Sequence, residues 1–507
     1  MARREGKKKW QKKYINKVRK ILTILFLAAT IVSCTEHPSN AVKSDSQPAI
    51  FPDYIGVTIP AGIAPLNFNI VSSNGEDIEA VEVAVKGSKA GEITANGDYA
   101  QFDIDEWHTL LSDNKGGKLT LTVTVKANGK WTEYKPFHIN VSDKPLGQYG
   151  LSYRRIQPGF EVYSKMGIYQ RDLSNFDEIA ILENTQVPGM CINCHTSNRT
   201  NPAQTTFHVR GDHGATMVST NGKVEWLKAR NDSLKGSMVY PYWHPTGRYC
   251  AYSTNKTSQS FHSSKSERIE VFDQSSDVFA YDTETHEIIL DSLLATNDHY
   301  ETYPVFSPDG RTMYFCSSKA ETIPARYREI RYDICSIAFD PDKGQFGNKV
   351  DTLFRASAMK KSATHPRPSY DGRWLMFTMA DYGCFPIWHR EADNWLLDLR
   401  TGKAEPMTEA NSKEADSWHN WSANSQWIVF TSRRGDGLHT RLYIAHVDDN
   451  GKVSKPFLLP QQNPWKYYDS MLDSFNTPEF LSRPVVFNNR NAGNGIMSDK
   501  RIETKIR

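Results

Sequence analysis

Tyr303-Pro-Val-Phe-Ser-Pro-Asp-Gly-Arg-Thr-Met-Tyr-Phe315 reads as a strand, a tight turn and a second strand. It recurs. Tyr240-Pro-Tyr-Trp-His-Pro-Thr-Gly-Arg-Tyr-Cys-Ala-Tyr-Ser253 precedes it, and His365-Pro-Arg-Pro-Ser-Tyr-Asp-Gly-Arg-Trp-Leu-Met-Phe377 follows. A degenerate copy is Trp418-His-Asn-Trp-Ser-Ala-Asn-Ser-Gln-Trp-Ile-Val-Phe430, and successive copies start 63, 62 and 53 residues apart. Further short strands such as Asp277–Asp282 and Trp395–Leu399 follow within the copies. One such four-stranded unit cannot bury both faces alone, so the copies must pack around an axis as a β-propeller. A fainter copy is expected at Phe207–Val218, running on to Trp226, and residues 149–186 have room for another. About 320 residues in blades of this length give six.

Outward from the repeats, the N-terminus is a targeting segment. Arg3 to Lys20 is strongly basic, Ile21 to Val32 is apolar but too short for a spanning helix, and Cys34 follows. The run resembles a bacterial lipobox, which implies a signal peptide over 1–33 and acylation at Cys34; an uncleaved anchor helix is the alternative. The whole chain carries a net charge of +3, but without residues 1–33 it has 51 basic and 57 acidic residues and is acidic. No basic stripe points to nucleic acid. Residues 34–50 read as a flexible tether. Residues 51–145 alternate like strands, with Asn128-Gly129 and Asn96-Gly97 as hairpin turns, and suggest a small antiparallel, immunoglobulin-like β-sandwich. The expected class is therefore all-β: a small sandwich, a six-bladed propeller over 146–485, and a polar C-terminal tail over 486–507.

Cys191-Ile-Asn-Cys194-His195 has the spacing of a c-type haem attachment site. Each thiol adds to one vinyl group of the porphyrin, and the histidine is held beneath the iron. A zinc half-site would need two more ligands at compact spacing, and no second Cys-x-x-Cys occurs. A redox dithiol would normally open a helix inside a βαβ unit, which is missing here. The reading is one covalent haem c in a loop at 191–195, between the first two blades. Cys250, Cys316, Cys335 and Cys384 remain, with their pairing open.

The first residues of the copies are Tyr240, Tyr303, His365 and Trp418, and with one residue of slack His208 takes the same place. That puts His208-Val-Arg210 and His365-Pro-Arg367 on inner strands facing the channel. His208, 13 residues beyond His195, is the expected second axial ligand, with His213, Met217, Met190 or an open position as alternatives. Arg210 and Arg367 suit haem propionates, or an acidic residue across the channel. His244, His262 and His419 read as structural.

Phe306-Ser-Pro-Asp-Gly310 resembles the WD40-like repeat of the TolB propeller family. The lipobox, Cys-Ile-Asn-Cys-His, Phe-His-Val-Arg-Gly, Asp381–His389, Ser432–Leu438 and Lys455–Gln461 together resemble exported propeller lipoproteins of Bacteroidetes type. The resemblance spans nearly all of residues 50–485 and implies a cytochrome-like TolB propeller without a settled reaction.

Two functions follow as expectations. One is a membrane-anchored c-type haem protein for electron transfer or haem-dependent redox chemistry, with an unidentified redox partner. The other is a propeller scaffold that binds a protein or glycan, with haem or metal only structural. No Gly-x-Ser-x-Gly or His-Glu-x-x-His occurs, which argues against a hydrolase. The expected location is the cell envelope, lipid-anchored in the outer membrane and facing the periplasm. Cys34→Ala should leave the protein unacylated and change its membrane fractionation; an unchanged fractionation with an intact N-terminus by mass spectrometry would mean an anchor helix.

Overall fold

The computed structural model describes residues 37–72, 75–157, 165–228, 234, 236–262, 269–498 and 500–507. Cys34 and the apolar run before it lie outside these residues. Among the described residues no helix is long and apolar enough to cross a membrane. The protein is all-β, with three short α-helices among the described residues.

Six antiparallel sheets form the propeller. Blade 2 is Cys191–Asn198, Asn201–Arg210, Ala215–Thr220 and Lys223–Lys228, and blade 3 begins at Met238–Trp243. Blades 4, 5 and 6 begin with His299–Phe306, Ser362–Pro368 and Asp416–Trp421. Blade 1 takes three strands from Gly150–Glu183, but its innermost strand, Ser474–Leu481, comes from the far end of the chain. That strand closes the ring between blades 6 and 2.

The repeat turn explains why these copies fold alike. In blade 4 the Ser307 hydroxyl donates to Asp309 Oδ1 (2.5 Å) and accepts from Thr312 N (3.0 Å), while Arg311 N donates to Asp309 Oδ1 (3.0 Å). Ser369, Asp371, Arg373 and Trp374 repeat this in blade 5. Ser422 and Asn424 do so in blade 6. Gly310 and Gly372 supply the left-handed φ that ends each turn, a position Ser425 fills in blade 6.

A second periodicity lies in the innermost strands. Each carries one non-glycine residue with left-handed φ: Thr477 (46°), Cys194 (52°), Tyr240 (50°), Tyr303 (53°), His365 (55°) and Trp418 (44°). Each sits at a register break with the neighbouring strand. Blade 2 therefore aligns through Cys194, not through His208, and the expected copy at Phe207–Val218 is its second and third strands. Cys191–His195 lies on the inner strand rather than in a loop. The blade-2 copy lacks the Ser-Pro-Asp-Gly turn and uses Arg199-Thr200, both with positive φ, instead.

The N-terminal domain also differs from expectation. The Asn128-Gly129 hairpin forms, with Ala127 opposite Lys130. Asn96-Gly97, however, lies within the strand Glu92–Gly97 and makes no hairpin. The domain's seven-stranded sheet includes two parallel pairs, Val42–Lys43 with Thr132–Glu133 and Thr58–Pro60 with Asn140–Ser142. The tether is accordingly shorter than 34–50, since Val42–Lys43 joins this sheet. Ile104–Asp113 is a helix: Asp103 caps it by accepting from Asp105 N and Glu106 N, and Trp107, Leu110 and Leu111 line its buried face. One apolar cluster runs from Trp107 and Leu111 through Tyr153 and Phe475 to Trp427.

The C-terminal segment is ordered rather than a free tail. Ala492 and Ile496 of the helix Asn489–Met497 pack on Ile192 and Phe207 of blade 2. Gly495 lies so close under Trp226 that a Cβ there would sit 2.2 Å from the indole nitrogen. Lys505–Ile506 then pairs with the outer strand of blade 3. Cys250, Cys316, Cys335 and Cys384 are buried free thiols.

Phe475 on the closing strand is fully buried and stacks edge-on against Tyr153 at 5.1 Å. Phe475→Ala should lower unfolding stability by about 3–5 kcal/mol, read from urea midpoints, because the cavity opens where the ring closes. A loss below about 1 kcal/mol would show that the closing strand is not part of the cooperative core.

A candidate cofactor site in the channel

The six left-handed residues form a collar around the propeller axis. Neighbouring rings touch: Tyr240 and Tyr303 centroids are 4.4 Å apart, Tyr303 and His365 4.0 Å, His365 and Trp418 4.3 Å. Above the collar is a chamber of about 530 Å³, within the range of small-molecule and cofactor sites; below it is one of about 30 Å³.

Cys191 and Cys194 both line the upper chamber, with Arg154, Arg210 and Arg433 in the same wall and no Asp or Glu among its described lining residues. Among the described residues Arg154 meets no carboxylate: its Nη2 lies 3.3 Å from Cys191 Sγ and 3.4 Å from Met166 Sδ, and its Nε has no hydrogen-bond partner. The Arg433 guanidinium lies 3.2 Å from the centroid of Trp388. Phe385, Trp388, Trp418 and Tyr240 give the wall flat apolar surface.

A hairpin roofs this chamber. The blade-3 strands Tyr249–Phe261 and Ile269–Asp282 are extended, and Asn255, Thr257, Gln259, Ile269 and Val271 face the cavity. The hairpin is tied across to blade 5. Glu270 Oε2 accepts from Tyr382 OH (2.8 Å), and its two carboxylate oxygens meet His262 Nε2 (3.3 Å) and His389 Nε2 (3.2 Å).

His195 lines the lower chamber with Arg367, His419 and Glu479. The repeat puts Pro241, Pro304, Pro366, His419 and Pro478 at the same place in the other blades. His419 is satisfied, Nε2 to the His365 carbonyl (2.8 Å) and Nδ1 to Asn394 Oδ1 (2.9 Å). His195 is not: it is buried, and among the described residues neither ring nitrogen reaches the geometry of a hydrogen bond. Burial first, then the Arg154 charge, pushes its pKa down to about 4, against a weak pull from the Ser152 backbone, so the imidazole is neutral at pH 7. Glu479 is also enclosed, taking Thr196 Oγ1 (2.5 Å) and Ser197 N (2.8 Å). Burial raises its pKa to about 7, more than these hydrogen bonds and Arg367 lower it.

Of the residues expected from sequence, Cys191, Cys194 and Arg210 share the upper chamber, and His195 lies just below it. His208 is in the wall of neither. It sits on the second strand opposite Asn193 and Thr216, with Nδ1 3.0 Å from Thr216 Oγ1. Its match to His365 fails because the left-handed collar residue of blade 2 is Cys194. Arg367 belongs to the lower chamber, over the Tyr242 ring at 5.4 Å, where its charge acts to lower the Glu479 pKa. Met217 and Met190 are in the apolar core between blades. His244 and His262 are structural, His244 meeting the Gly310 carbonyl at 2.9 Å and His262 meeting Glu270. Arg154, Met166, Arg433 and Glu479 were not identified from sequence, since each lies in an ordinary strand or loop and only the blade arrangement brings it to the axis.

Among the described residues no three His, Cys, Asp or Glu side chains converge as a metal-ion site. Burial, first, raises the Cys194 thiol pKa, which opposes a thiolate nucleophile.

No known protein family and no curated relative matches the chain. Solved structures with partial likeness include an oligogalacturonate lyase in complex with manganese, at 12% identity and TM-score 0.35 over 60% of this chain and 73% of that one. The periplasmic gluconolactonase of Pseudomonas aeruginosa is 14% identical, TM-score 0.33, over 66% of this chain and all of that one. The tricorn protease is 9% identical, TM-score 0.33, over 69% of this chain and 38% of that one. Likeness at this level transfers no activity.

Glu479 gives the site a pH signature. Its folded pKa is above the ordinary 4.5, so the folded state holds the proton longer and stability falls as pH rises through about 7. His195 and His419, held neutral, act in the opposite sense at lower pH. Glu479→Gln should therefore gain stability relative to the parent, on the order of 1–3 kcal/mol, as pH rises from about 5 to about 8. A difference independent of pH would show that Glu479 ionises normally.

Proposed function

We propose that this protein is an exported, lipid-anchored c-type haem protein whose propeller holds one haem in the upper chamber. The observation that carries the reading is the composition of that chamber: both thiols of Cys-x-x-Cys-His and three arginines in one wall, with no carboxylate among its described lining residues. Cys191 and Cys194 would form the thioethers, and His195 would be a ligand to the iron; its buried, neutral imidazole, whose nitrogens make no well-formed hydrogen bond among the described residues, suits the role. The wall also suits the rest of the group, with planar guanidinium donors for two propionates and aromatic surface for the macrocycle. When bound, the haem would supply one-electron iron chemistry, which makes electron transfer the preferred function.

The chain's own residues set the conditions. The hairpin and the collar bound the site, and the three arginines would favour the propionate charges. Acylation at Cys34 would keep the body at the outer membrane facing the periplasm, where a redox partner could reach the roofed face. The second reading, a binding propeller for another anionic ligand, rests on the same cationic wall.

A pyridine haemochrome spectrum separates the two. Protein matured with a haem-attachment system should carry one c-type haem, and the double variant Cys191→Ala, Cys194→Ala should carry none. The far-ultraviolet circular dichroism of that variant should stay β-rich, since each blade buries its core away from the thiols. Absence of haem from the parent protein would favour the anionic-ligand reading.

A further inference from the structure

We propose that Met166 is the second axial ligand of the haem, an assignment that rests on the haem reading above. The upper chamber contains no imidazole in its described wall. Apart from the two thiols consumed by thioether formation, the iron-donor side chains among its described lining residues are the thioether of Met166 and the phenol of Tyr240. The Tyr240 ring is already packed in the collar, its centroid 4.4 Å from that of Tyr303, which leaves the Met166 thioether as the donor free to turn to the iron.

Met166 is placed by geometry. Arg154 Nη2 is 3.4 Å from its sulfur and 3.3 Å from Cys191 Sγ, so the two sulfurs are separated by roughly 7 Å at most. Met166 therefore lies close to the point at which a haem would be attached through Cys191. Met166 is buried, and its backbone is fixed by its N–H donating to Asn184 Oδ1 at 3.0 Å. Ile168, two residues further along the strand, joins the apolar cluster with Ile192 and Phe207, whereas the Met166 sulfur faces a guanidinium at the cavity wall. His195 approaches from the lower chamber and Met166 from the upper, with Cys194 lining both. Donors on opposite sides of the attachment point are what a six-coordinate haem requires. The thioether is a soft, unbranched donor able to adjust to the iron. Arg154 would then turn from the two sulfurs to a propionate.

The test uses the full chain matured with covalent haem. The ferric protein should be low-spin and show the near-infrared thioether-to-iron charge-transfer band, with the raised potential of histidine–methionine ligation. Met166→Leu should lose the band, turn high-spin and bind carbon monoxide quickly when reduced, with one c-type haem per chain still present. Met166→His should stay low-spin, lose the band and have a lower potential, which distinguishes ligation from packing if the leucine variant folds poorly. Covalent haem without the band in the parent, or a band that survives in both variants, overturns the Met166 assignment alone. Absence of covalent haem overturns the haem reading, and this assignment with it.

Discussion

Six residues in left-handed backbone conformation, one on each innermost strand, determine the shape of the channel. Outside glycine such a conformation is costly and persists where the surrounding structure over-determines it. Here the cause is common to all blades: an irregularity in each inner strand pair turns one side chain into the axis. Tyr240, Tyr303, His365 and Trp418 then pack ring against ring, and the channel becomes two chambers rather than a pore.

Cys194 and Thr477 are the small members of that collar. Where blades 3 to 6 put an aromatic ring at the axis, blade 2 puts a thiol, and the residue after it is a histidine in a place that four other blades give to proline. The roof tied through Glu270, the cationic wall and the enclosed His195 are all arranged around this gap. Closure by Ser474–Leu481 matters for the same reason, because it brings Thr477 into the collar and Glu479 beneath it.

Much of the fold was legible in the sequence because Ser-Pro-Asp-Gly turns and their spacing are local signals. The blade count could be read from them, and so could Cys191, Cys194 and His195 as a unit. What could not be read was the blade-2 register. Its turn is Arg199-Thr200, so the eye falls on Phe207-His208 one strand too late. Two of the three chamber arginines were hidden for a different reason: Arg154 and Arg433 are 279 positions apart and meet only through ring closure. The helix Ile104–Asp113 was missed within a stretch dominated by alternation, although Asp103 as cap and the Trp107, Leu110, Leu111 spacing are its local signals.

The measurement that bears most directly on this account is an anomalous difference map, collected at the iron edge from crystals of the haem-matured protein. The account predicts one iron peak on the propeller axis, above the collar of Cys194 and Trp418 and beneath the hairpin that carries Glu270. A peak at the outer surface of a blade, or none from crystals of protein that carries haem, would contradict it.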